Sequence, residues 1–301
     1  MPAQSPLRLN LFPHQPGVER GGAGLGWLPD VPDERDFTMW EEGQGLVGNL
    51  DSGVQALLRG EAPLPTRQDL RNGAEVQNQL NLGSCTAQAV ISLVEYLLRD
   101  KSEGAHFDFS RLFLYKVTRK SLGWTGDRGA FVRETIKAMA LFGVPPERYW
   151  PYVIDRFDHE PEAFHYAFAQ NFKALEYVRL DAPKLAPGEV LVQVKRMLAG
   201  RFPVVFGFPV YSSLSYAADI PTRQPGDVLR GGHCVLAVGY DDQHETPDGT
   251  IVPSLIIQNS WGSEWGEGGF GYLPYEYVLR GLALDFWTIL KQDWVPLLDF
   301  A

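Results

Sequence analysis

The sequence predicts an α+β protein of two lobes, and three observations carry that reading. Runs of helical period concentrate before residue 200, and one of them, from Cys85 to Asp100, is apolar almost all round. After residue 200 the texture changes to short β-type runs, "FPVVFGFPVY", "HCVLAVGYDD", "SLIIQNSW" and "GGFGYLPYEYV", separated by turn residues such as Pro247, Asp248 and Gly249. A helical half followed by a strand half points to segregated layers rather than alternating βαβ units. A chain of 301 residues with 45% hydrophobic content is long enough for two domains or one large one.

Taken in order, residues 1–62 are rich in Gly and Pro, and their apolar residues keep neither helical nor strand period for long. They read as an extended arm preceding a body at 63–301, with a helical lobe mainly at 75–180 and a β lobe mainly at 181–301. Trp27, Leu28, Val31, Phe37 and Trp40 are costly to leave in water, so the arm is expected to lie against the body. In the helix beginning at Cys85, the polar positions Gln88, Ser92, Glu95 and Arg99 form one narrow stripe, and Ser84 or Asn81 can cap its start. Further helices are predicted at 109–121, at 129–142 up to Gly143, at 160–174 and at 188–199.

Composition excludes several classes of function. The net charge is −10 and no long basic run occurs, which argues against a nucleic-acid partner. No apolar run approaches the roughly 18 residues of a membrane span, and the first 20 residues lack the core of a signal peptide, so a cytoplasmic location is expected. Two cysteines, Cys85 and Cys234, cannot build a disulfide framework. None of the six histidines has the spacing of a metal site, and with no nucleotide fingerprint either, no cofactor is expected.

The chemistry centres on "NLGSCTAQAV". A cysteine in the first turn of a buried helix lies near unpaired N–H groups and the positive end of the dipole, which favour a thiolate; the alternative is a small apolar residue entering a helix. "GGHCVLAVGYDD" sets His233 at the start of an apolar strand, and "IIQNSWGSEWGEGGFGYL" sets Asn259 at a strand end beside Trp261. An asparagine there can accept the imidazole N–H and fix the ring's tautomer, while the indole keeps water from that bond. Each motif alone has a bland reading as a core histidine or a turn with a packing tryptophan.

Together the set resembles the papain-like cysteine proteases, over roughly residues 63–290. The motifs are Gln79, Gly83, Ser84 and Cys85; "GHCVLAVGYD" with His233; "NSWGSEWGEGGFGYL" with Asn259, Trp261 and Trp265; and the supporting "LPTRQDLR" and "WPY". His233 follows Cys85 by 148 residues, inside the span of about 130 to 150 for this arrangement. The resemblance implies a papain-like two-lobe fold, its central helix starting at the nucleophile and packing on an antiparallel, barrel-like β lobe. It further implies Cys85 as nucleophile in a thiolate and imidazolium pair with His233, Asn259 orienting that ring, Trp261 shielding it, and Gln79 completing an oxyanion hole. Gly129 is implied to pair with substrate backbone. Ala130, Phe131, Gly232 and Cys234 are implied to border the pocket for the second side chain before the cut, and Trp265 to flank the leaving-group side.

Leu82 stands in the place of the family's usual disulfide cysteine, as a bacterial, disulfide-free member with an N-terminal extension requires, and Thr86 in that of the tryptophan after the nucleophile, which removes an aromatic wall near the cleft and bears on specificity. The helical prodomain common in the family has no counterpart in 1–62, and the arm is expected either to restrain activity as a zymogen segment, lying in or near the cleft, or merely to brace one lobe. The leading function is thus a cysteine endopeptidase acting on peptide or protein substrates. Non-proteolytic amide or isopeptide transfer and a catalytically quiet or self-capped binding module are the alternatives.

Overall fold

The computed structural model describes residues 24–31, 33–38, 50–71, 74–101 and 106–294. The first half holds β1 (Trp27–Leu28), α1 (Ser52–Arg59), β2 (Arg67–Asp69), α2 (Cys85–Lys101), α3 (Arg111–Ser121), β3 (Ala130–Phe131), α4 (Val132–Phe142) and α5 (Ala163–Ala169). The second holds β4 (Phe172–Arg179), α6 (Pro187–Ala199), β5 (Val204–Tyr211), β6 (Leu229–Asp241), β7 (Ser254–Gln258), β8 (Phe270–Pro274), α7 (Glu276–Leu279) and β9 (Leu284–Trp294). Helices α2, α3 and α4 pack together as one lobe. The other lobe is a seven-stranded sheet in the order β4-β9-β5-β6-β7-β8, with β2 also on β6 and every pairing antiparallel.

Helix α2 lies between the lobes, against β6 on one side and α3 and α4 on the other, which is why its sequence is apolar nearly all round. Of its polar stripe, Gln88 and Glu95 are buried while Ser92 and Arg99 stay half-buried. Glu95 is buried, its carboxylate accepting the Phe109 N–H at 3.0 Å and an Arg111 guanidinium N–H at 2.7 Å. Ser84 lies at the helix entrance with its hydroxyl 2.7 Å from that of Tyr152, a residue of the "WPY" run.

Several boundaries differ from the expectation, for local reasons. The run predicted as a helix from 129 starts at Val132, because Ala130 and Phe131 are drawn out as a strand by the arm. The run predicted at 160–174 stops at Ala169, and Phe172 opens β4, which pairs with β9, so the β lobe begins before residue 181. The arm is not extended throughout. Asp51 caps α1 by accepting the Gly53 N–H at 2.8 Å, and Leu58 is buried on the side packed toward α6. Of the apolar arm residues, Trp27 is buried and Leu28 half-buried, whereas Val31 and Phe37 are exposed; Trp40 lies outside the described residues.

Candidate active site

The site forms where the first turn of α2 meets β6 and the end of β7. A short loop brings Gln79 beneath the nucleophile's turn: its backbone N–H donates to the Ser260 carbonyl at 2.8 Å, and its side-chain oxygen accepts the Ser260 hydroxyl at 2.5 Å. The loop's far end is tied down by Asp127, which accepts the Gly83 N–H at 3.0 Å and the Tyr115 hydroxyl at 2.6 Å. Cys85 itself is fully buried.

Across the lobe boundary, His233 Nε2 lies 2.7 Å from Asn259 Oδ1, which also accepts the Ser260 N–H at 2.7 Å. An amide oxygen can only accept, so His233 carries its proton on Nε2 and presents the Nδ1 lone pair on the other edge of the ring. That Nδ1 is buried and makes no hydrogen bond among the described residues. Trp261 stacks on the imidazole with ring centroids 4.5 Å apart and planes 28° apart, and Trp265 meets Trp261 edge-on at 5.9 Å.

What fills the cleft is the chain's own arm. The Gln79 side-chain amide donates to the Gly24 carbonyl at 2.9 Å and to the Leu82 carbonyl at 2.7 Å. The Gly24 N–H donates to the Leu80 carbonyl at 2.8 Å, and the Ala130 N–H to the Gly26 carbonyl at 2.8 Å. β1 then runs parallel to β3, Trp27 beside Ala130 and Leu28 beside Phe131. The arm lies flat because it is glycine where it touches: a Cβ on Gly26 would stand 2.0 Å from the Gly83 carbonyl oxygen.

The covering reverses the expected electrostatics. Burial pushes the Cys85 thiol up to about 11, against backbone N–H groups of Cys234, Gly26 and Thr86 that favour the thiolate. Burial likewise takes His233 down to about 4, with the Asn259 bond acting the other way. A thiolate and imidazolium pair is the expectation for this couple; in the covered cleft burial shifts both groups toward their neutral forms, against the donors aimed at them.

Beyond the covered sulfur, the arm is anchored in a buried charge cluster. Asp285 Oδ2 accepts the Trp27 indole N–H at 3.0 Å and the Asp30 N–H at 2.8 Å, while its Oδ1 accepts from Arg179 at 3.0 Å. Asp36 accepts from Arg133 at 2.5 Å and from Arg179 at 3.1 Å, and Asp181 accepts from Arg179 at 2.9 Å.

The four residues come from three stretches of sequence: Gln79 and Cys85 from the loop and first turn of α2, His233 from β6, and Asn259 from the end of β7, where it meets His233. Ala130, Phe131 and Gly232 line the arm's path, while Cys234 is buried beside Cys85, its thiol raised well above the usual range by burial. Two placements differ from expectation. Pairing to the arm falls on Ala130 rather than Gly129, whose N–H is taken by the Tyr115 hydroxyl at 3.1 Å. Trp265 is 1% exposed with its indole donating to the Ser215 carbonyl at 3.1 Å, so it supports Trp261 from behind rather than facing the cleft. Asp127, Asp285 and the arginine cluster carry no local motif and escape a reading by pattern; only the fold brings them to the site.

The fold and this constellation are those of a cysteine peptidase. The model of the papain family cysteine proteases matches residues 64–278, and the chain belongs to that family. Among solved structures it is similar to xylellain, a cysteine protease from Xylella fastidiosa, with a TM-score of 0.73 and 33% identity over 91% of this chain and 98% of that one. It is also 33% identical, over 88% of its length and 86% of the relative's, to an uncharacterised peptidase C1-like protein of Acanthamoeba polyphaga mimivirus. The thiol protease aleurain of Arabidopsis thaliana is 27% identical over 92% of this chain and 76% of its own.

Proposed function

We propose that the chain hydrolyses peptide bonds through a Cys85, His233 and Asn259 triad with Gln79 in the oxyanion hole, and that its N-terminal arm holds the cleft shut. The observation carrying both halves is that the arm engages both groups at once: the Gln79 amide donates to the Gly24 peptide carbonyl, and the Gly26 N–H lies against the buried thiol. In the open cleft water returns, the penalty on the charged forms falls, and the proton passes from sulfur to imidazole. The thiolate then attacks the substrate carbonyl carbon. Gln79 and the Cys85 backbone N–H hold the oxyanion, His233 gives its proton to the departing amine, and a thioester remains. Water, deprotonated by His233, cleaves the thioester and releases the carboxylate, restoring the pair.

The arm is not in a substrate's pose. In a substrate, the side chain filling the second pocket precedes the carbonyl held at Gln79; in the arm, Trp27 comes after Gly24. A peptide lying this way round presents the wrong order of groups to the sulfur, which supports a restraint rather than a bound product. Rapid alkylation of Cys85 by a vinyl-sulfone peptide, in preference to Cys234, is the expected result, and His233→Ala should slow it on the order of a hundredfold. Equal rates in the two proteins would sink the triad, and turnover surviving in Cys85→Ala would sink the mechanism.

The anchor makes docking depend on pH. Asp30 is raised to about 6 by burial, against the opposing attraction of Arg179 and Arg133. It faces Arg133 on α4, Arg179 on β4, and Trp287 and Asp285 on β9, with Asp181 and the arm's own Asp36 in the same cluster. A carboxyl raised in the docked state binds its proton more tightly there, so its contribution to docking is complete below its ordinary value of 3.8 and is lost as pH rises through about 6. Cutting of the arm between residues 24 and 37 by proteinase K should therefore speed up roughly tenfold between pH 5 and pH 8, relative to a denatured control. Asp30→Asn should flatten that dependence; a dependence of unchanged size would place its origin elsewhere.

A further inference from the structure

The arm also serves as a cast of the pocket it fills. The Trp27 indole enters a slot whose walls are glycine: a Cβ on Gly207 would stand 1.9 Å from indole Cε2, and one on Gly232 would stand 2.8 Å from Cε3. The floor is Asp285, fully buried and held with φ at 59°, its backbone N–H bound to Asp181 at 2.9 Å. One carboxylate oxygen is committed to Arg179, while the other faces the slot and accepts the indole N–H. Slot and floor come from β5, β6 and β9, none of which depends on the arm for its place in the sheet.

We propose, resting on the peptidase reading above, that Asp285 determines specificity by selecting substrates whose second side chain before the cut is large, neutral and tipped with an N–H donor, tryptophan above all. Size follows from the two missing Cβ atoms. The demand for a donor follows from the slot-facing oxygen, because a substrate that cannot donate leaves a buried carboxylate oxygen without its bond. Neutrality follows from the charges left when the arm departs. Asp30 and Asp36 go with it, while Asp285 stays bound to Arg179, which also holds Asp181, so a substrate guanidinium would enter beside a buried cation and have to compete with it for the floor carboxylate. This separates the slot from a simple acid-floored pocket for arginine.

The test uses the full-length protein and matched peptides that differ only at that position, bearing Trp, Phe, Val or Arg. They are presented together both as amide substrates and as vinyl sulfones. Competition cancels the arm, since every peptide waits on the same opening. Trp should exceed Phe about tenfold, and Arg by more, in both formats.

In Asp285→Asn the amide oxygen turns to Arg179 and the amide N–H₂ faces the slot, so the preference for Trp over Phe should vanish; asparagine tolerates the positive φ. In Gly207→Ala, a second variant, Trp should fall below Val. Arg ahead of Trp, equal rates for Trp and Phe, or a preference unmoved in both variants would each overturn the assignment. So would failure of every vinyl sulfone to label the folded chain. Labelling with the stated preference but without amide hydrolysis would keep the slot and remove the peptidase reading.

Discussion

Gln79→Ala should slow peptide hydrolysis by about two to three orders of magnitude while making Cys85 react faster with a small, non-peptide alkylating agent. The two effects have opposite signs because one amide group serves two states. In the mechanism proposed above, the Gln79 side chain donates to the developing oxyanion in the open cleft, and removing one such donor typically costs about 10² to 10³ in rate. In the closed chain the same N–H₂ donates to the Gly24 carbonyl, so its loss leaves that carbonyl without a partner and loosens the arm over the sulfur. Iodoacetamide needs access and a thiolate but no oxyanion hole, which makes it the right reporter of the second effect. A merely structural glutamine would move both rates in the same direction. Loss of activity together with slower alkylation would therefore argue for a collapsed loop between Ser260 and Leu82, and against the role given to Gln79.

The strong signals in the sequence were those in which one stretch of chain contains both the residue and its reason. The apolar run after Cys85 foretold a central buried helix, and "NSWGSEWG" held Asn259, Trp261 and Trp265 in a single segment. His233 could be placed on a strand because its apolar run continues unbroken to Tyr240. What escaped pattern is what depends on distant partners. The helix expected at 160–174 runs past its true end because the strand character of Phe172–Arg179 comes from pairing with β9, more than a hundred residues away. Asp285 carries no motif of its own, and only folding turns its carboxylate toward Trp27 and Arg179. The thiol and imidazole were expected as an ion pair because each motif implies the other's charge. A segment with no periodicity of its own, "GLGWL", adds to the burial that shifts both toward their neutral forms. The same segment shows why low-complexity glycine is easily misread: its small residues are a fit to the Leu82 and Gly83 carbonyls rather than slack.

That fit sets the largest gain of activity within reach of a single substitution. Gly26→Ala should raise hydrolysis by the full-length chain on the order of a thousandfold. The added Cβ would stand 2.0 Å from the Gly83 carbonyl oxygen and 2.5 Å from its carbon, both backbone atoms held from behind by Asp127, so neither side can give way. To relieve the collision the segment must rise, and it then gives up the Gly24 bond to Leu80, the Gln79 bond to Gly24 and the Ala130 bond to Gly26. At about 1 kcal/mol net for each, plus about 1.5–3 kcal/mol for withdrawing Trp27, docking weakens by about 4.5–6 kcal/mol. Since each 1.4 kcal/mol is about tenfold, the open fraction can rise by about three to four orders of magnitude, and the gain in turnover stops near the lower end, once opening ceases to limit it. The measurement is kcat/KM on one fluorogenic peptide for wild type, Gly26→Ala and the double variant Gly26→Ala with Cys85→Ala. The last must be inactive for the gain to belong to this thiol. Unchanged activity in Gly26→Ala, with the arm still protected from proteinase K, would mean that the cleft accommodates the methyl group. Unchanged activity with the arm cut freely would mean that the arm only braces the lobes and does not restrain the enzyme.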